Sequence, residues 1–133
     1  MGALTRLAAA LIGVPHALPP ELLRRFPELA GARWRSGGLP PRIGGWALGT
    51  RSVAAITLWR TVFLAPGAPA SAELLLHELR HVHQFGASRV FPVRYLLDSL
   101  RHGYARNRYE ADARAWAAAR LQAGSSPPSI EDA

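Results

Sequence analysis

Cysteine and lysine are both absent from this chain of 133 residues. Without cysteine there is no disulfide and no thiolate site, so any bound metal must be held by histidine and carboxylate. Without lysine, all 16 basic side chains are arginine, set against nine acids, for a net charge of +7. That balance favours acidic partners, but the arginines are scattered and form no run, which argues against a nucleic-acid-binding protein. A GC-rich coding bias would produce the same abundance of Arg, Ala, Leu, Gly and Pro. Long apolar runs are missing too: none reaches the roughly 18–20 residues that span a bilayer. Residues 1–20 hold one arginine, Arg6, and a short apolar run, a poor match to a secretory leader. A short docking helix and a cytoplasmic location are the expectation there.

The length suits a single domain, expected over residues 1–123, with residues 1–30 as an N-terminal helical segment and 124–133 as a flexible polar tail. Helices are expected at 3–12 and, after Pro19-Pro20, at 21–28. Residues 31–66 change character. Arg33-Trp34-Arg35 alternates, and Ser36-Gly37-Gly38 with Pro40-Pro41 breaks the chain. Runs rich in β-branched and aromatic residues at 43–48, 53–58 and 61–65 then read as strands. From Ser71, an N-cap candidate, a helix is predicted to Phe85 with Gly86 as its stop; further helices are predicted at 92–102 and 107–122. The expected fold class is α+β, with a small antiparallel sheet of three to four strands packed on the middle helix and the two that follow.

Within that middle helix, residues 77–81 read His-Glu-Leu-Arg-His. Four residues apart on a helix, His77 and His81 project from one face about 6 Å apart. Two imidazoles so placed can close on one Zn²⁺, while Glu78, about 100° round the helix, can reach a water beside it. A third ligand must come from elsewhere. Glu110 is the best candidate, because it lies early on the last helix, which can return antiparallel across the motif. His83 is a weaker one, turned about 120° from His77. Asp112 lies about 200° from Glu110 on its own helix and reads as a supporting residue that orients a ligand histidine. His102 reads as a helix C-terminal residue or a polar lining of the cleft.

The phrase His77-Glu78-Leu79-Arg80-His81-Val82-His83-Gln84, followed by Tyr109-Glu110-Ala111-Asp112-Ala113-Arg114-Ala115-Trp116, resembles the gluzincin-type zinc metallopeptidases, in particular their compact minigluzincin form. Residues 55–58, 61–64, 91–96 and 106–110 are also similar to small bacterial HELxHxxQ proteins of unknown function. The resemblance covers roughly residues 42–122. It implies a minimal zincin-like fold with His77, His81 and Glu110 as zinc ligands and Glu78 as general base. It further implies hydrolysis of peptide bonds by a zinc-activated water, with a peptide or protein as substrate. Many relatives carry Asn or Asp where Arg114 stands, and Arg80 puts a cation beside the motif. No motif identifies the transition-state donor; Tyr104 and His102 are the candidates. The alternative is a catalytically latent zinc-binding module with a regulatory or interaction role. The sheet edge expected to take an extended peptide as an added strand is residues 61–65.

Overall fold

The computed structural model describes residues 2–47 and 54–124, and over these the chain has the expected α+β architecture. Helix α1 (Ala3–Ile12) buries none of its residues. At Gly13, with φ 67°, a Cβ would collide with the Ser36 carbonyl, so only glycine lets the chain turn there into strand β1 (Val14–Pro15). Helix α2 (Pro20–Arg25) starts on a proline at its first turn and stops at Phe26. The helix expected at 21–28 is thereby divided: Pro27 disfavours helical geometry at the residue before it, and a 3-10 turn, Pro27–Gly31, follows.

Strand β2 (Arg33–Ser36) leads into helix α3 (Leu39–Ala47), which corrects the strand expected at 43–48. Pro40 and Pro41 do not break structure there. They occupy the first turn of α3, where a missing N–H leaves no bond unmade. Residues 48–53, including the end of the strand expected at 43–48 and the start of the one expected at 53–58, lie outside the described residues. Strands β3 (Ala55–Leu58) and β4 (Thr61–Leu64) form a hairpin, and the sheet order is β1-β2-β4-β3. Two of its three pairings are antiparallel, but β2 and β4 run parallel, with Trp34 opposite Val62. A parallel pair requires a crossover, and α3 lies on that path. The consequence for the site is that β4 is paired on both sides, while β3, like β1 at the far end, is an outer strand. Among the described residues, the edge expected at 61–65 therefore lies at 55–58 instead.

Helix α4 (Ala72–Ala87) is capped by Ser71, whose hydroxyl accepts from the Leu74 N–H at 3.1 Å. It runs two residues past Phe85, because a glycine in a last helical turn weakens the helix without ending it. Helices α5 (Phe91–His102) and α6 (Arg108–Gln122) follow, close to their expected bounds. Leu75, Leu76 and Leu79 are fully buried against Phe26, Leu29 and Val62, each contributing roughly 2 kcal/mol of apolar burial. Ala113 and Ala117 are fully buried on α6, where small side chains let it lie close against α4. A buried arginine anchors the far end of α6: Arg120 meets Glu28 at 2.5 Å and donates to the carbonyls of Arg25 and Gly124. No described helix is long and apolar enough to cross a membrane.

Candidate metal centre

Leu75, Leu76, Leu79 and Val82 turn into the core and thereby set the rotation of α4. That rotation leaves His77, Glu78 and His81 along one side, with ligand atoms all within 4.8 Å of one another, a group that could hold a metal ion. The two imidazole rings stand edge to face at 4.9 Å between centroids. From α6, the Glu110 carboxylate reaches across to both: Oε2 lies 2.9 Å from His77 Nε2, and Oε1 lies 3.2 Å from His81 Nε2. A tetrahedral zinc with bonds of about 2.0–2.1 Å holds its ligands roughly 3.3 Å apart, so these separations are near those of a ligand set.

Two carboxylates thus flank the histidine pair, and their partners tell them apart. Glu78 is buried, and its Oε2 accepts a 2.8 Å hydrogen bond from Thr57 Oγ1 on the outer strand β3. Burial raises its pKa, and the neighbouring histidines and Thr57 only partly offset this. Burial also works to raise Glu110. Hydrogen bonds from His77, His81 and Tyr95 outweigh it, and this carboxyl sits well below the usual carboxylate range. Glu110 also falls in the first turn of α6, where the helix N-terminus favours an anion.

Support for the ligands runs outward through one connected network. His81 Nδ1 lies 2.7 Å from Gln84 Oε1. The Gln84 amide donates to the Tyr109 carbonyl at 3.0 Å and to Asp112 Oδ2 at 2.9 Å. Asp112 in turn pairs with Arg80 at 2.8 Å, and that contact holds its pKa down. Both ring nitrogens of His81 therefore face acceptor oxygens. Burial opposes a charged ring, but Glu110, Glu78 and Gln84 outweigh it and raise the His81 pKa.

The other candidates are placed apart. His83 is exposed, with its ring 5.3 Å from Trp116 and away from the cluster. Asp112 lies one residue beyond Gln84 in the network and touches neither histidine directly. His102 is exposed at the end of α5. Tyr104 lines the cleft; partial burial and the facing carboxylates of Glu110 and Glu78 push its phenol up to about 12. The sequence reading missed Tyr95, which donates to Glu110 Oε1 at 2.7 Å, and Thr57. Both fall in segments that share the family resemblance, 55–58 and 91–96, but no local pattern singles out either residue. Tyr95 reaches the site because α5 folds back beside α6, and Thr57 because β3 is an outer strand.

These groups open into a cleft of about 630 Å³, whose walls are β3 on one side and apolar residues of α5, including Leu96 and Leu100, on the other. The family model of the eCIS core domain matches residues 46–89. That third of the chain holds the β3–β4 hairpin and the histidine motif but stops short of Glu110. Comparison with curated proteins and with solved structures gave no match.

Proposed function

We propose that the chain is a zinc-dependent metallopeptidase in which His77, His81 and Glu110 hold the metal and Glu78 is the general base. The observation that carries this reading is the carboxylate of Glu110 spanning both imidazole Nε2 atoms while Glu78 stands free of that span, tied to Thr57. Two nitrogens and a carboxylate, with no thiolate, are a donor set that zinc accepts in catalytic sites that keep an open position. Bound zinc would polarise a substrate carbonyl and lower the pKa of water toward 7.

The remaining work falls to the chain's own groups. Glu78, with its pKa raised by burial, is suited to take a proton from the attacking water and deliver it to the leaving nitrogen. Tyr104, protonated at neutral pH, can donate a hydrogen bond to the carbonyl oxygen as charge develops there. Strand β3 borders the cleft, and among the described residues its outer edge is unpaired in the sheet, so an extended peptide can add alongside it.

The test is hydrolysis of an unfolded casein by the intact chain. Turnover should vanish with a chelator and return on adding zinc. A protein that binds one zinc and shows no turnover would instead be a latent metal-binding module, and this reading would fail. Thr57 is a positioning residue, and its effect is separable. Thr57→Val keeps the branched shape but removes the donor, and should lower kcat about tenfold with KM and zinc content unchanged. Thr57→Ser should recover most of the rate. Full activity in Thr57→Val would show that Glu78 needs no such anchor.

A further inference from the structure

The sequence of α5, Phe-Pro-Val-Arg-Tyr-Leu-Leu-Asp-Ser-Leu-Arg-His, has two apolar faces where a surface helix needs one. Phe91 is buried, and Tyr95 packs inward against Phe91 and Tyr109. Val93, Leu96, Leu97 and Leu100 are the second face, and they stay 58%, 59%, 51% and 74% exposed. At 100° per residue these four fall within a stripe about 100° wide, with Arg94 and Arg101 along one border. Trp59, at the tip of the β3–β4 hairpin, is a separate exposed aromatic near the N-terminal end of α5. Its ring lies 5.5 Å from Phe85, which packs 4.7 Å from Phe91 at the start of α5. Trp59 is 64% exposed and held at φ 55°, a left-handed conformation that a bulky side chain adopts only at a conformational cost. Glycine would avoid that cost and would contribute no aromatic surface.

The exposed charges on α5 and the segments flanking it are of one sign. Arg89, Arg94, Arg101 and Arg106, on α5 or within four residues of its ends, are all exposed, while Arg108 pairs with Asp98 at 3.5 Å. The only acid between residues 79 and 109 is Asp98, which is buried and bonded to the Arg108 N–H at 2.8 Å. An apolar stripe bordered by arginines, on a helix whose one acid is buried, matches a membrane interface, where leucines enter the headgroup region and guanidinium groups meet lipid phosphate. A second copy of the chain would bring the same cations face to face. A nucleic acid would leave the leucines without a partner.

We infer that the exposed face of α5 docks on an anionic lipid bilayer. Leu96 and Leu100 belong both to this face and to the cleft wall, so docking would set the mouth of the metal centre beside the lipid surface.

The test is co-sedimentation of the full chain with vesicles of phosphatidylglycerol and phosphatidylcholine, against phosphatidylcholine alone. The protein should pellet with the anionic vesicles at low salt, much less at high salt, and little with neutral ones. Val93 and Leu97 lie outside the cleft, and the double variant Val93→Ser/Leu97→Ser should bind about tenfold more weakly. Arg94→Gln/Arg101→Gln should also lose about tenfold, which separates the charge contribution from the apolar one. Thermal melts matching the parent would show that neither pair disturbs the fold. Absence of pelleting with anionic vesicles, equal pelleting with neutral ones, or unweakened binding by both pairs would overturn the inference. A dimer in light scattering that Val93→Ser/Leu97→Ser dissociates would assign the face to a second copy instead.

Discussion

In His81→Ala the chain is expected to bind zinc on the order of a thousandfold more weakly, and to be purified with none. The same result is expected for His77→Ala and Glu110→Ala, because each removes one of three donors that converge from two helices. Asp112→Ala is the informative comparison. Asp112 reaches His81 only through Gln84, so its loss should weaken zinc binding by about tenfold and leave the one-to-one stoichiometry intact. Elemental analysis of protein prepared without chelator, followed by zinc titration, measures all four. If Glu110→Ala holds zinc as tightly as the parent while Asp112→Ala does not, the ligand assignment is wrong. If the parent takes up no zinc at all, the metal centre itself is wrong.

The second large effect concerns the carboxylate that does not bridge the histidines. Glu78→Gln should cut hydrolysis by about 10²- to 10⁴-fold while one zinc per chain remains bound. The amide has nearly the size of the acid and can still meet Thr57, so the packing around β3 should hold. It cannot accept a proton from water, and that is the property the reaction needs. Turnover of casein and zinc content, read on the same preparation, separate the two roles. Substantial activity in Glu78→Gln would mean that another group takes the proton.

Much of this arrangement was legible before the structure. The histidine spacing on α4, the cap at Ser71 and the placing of Glu110 early on α6 are all local signals, and local signals are what residue patterns carry. The structure departs where a longer-range choice decides. Residues 43–47 are apolar enough for a strand, but Pro40 and Pro41 seat the first turn of a helix, and the crossover they open lets β4 pair with β2. No pattern within 61–64 announces that this strand is paired on both sides. The same topology moves the open edge to β3, and so brings Thr57 to Glu78. Tyr95 was hidden for a different reason: its apolar neighbours on α5 mark no single inward face, because that helix is apolar on two sides.

Asn107 links these elements in a way that bears on how the chain tolerates change. It is fully buried; its side-chain oxygen caps α6 at the Tyr109 and Glu110 N–H groups, and its amide donates to the Tyr95 carbonyl and Ser99 Oγ. Upstream, beyond the cleft-lining Tyr104, residues 105 and 106 form an exposed turn, so added residues there lengthen a surface loop at small entropic cost. One residue added between Asn107 and Glu110 would instead rotate the glutamate about 100° round its helix and away from both histidines. Length variation in this connection is therefore sharply asymmetric: tolerated between Tyr104 and a single asparagine, and forbidden beyond it.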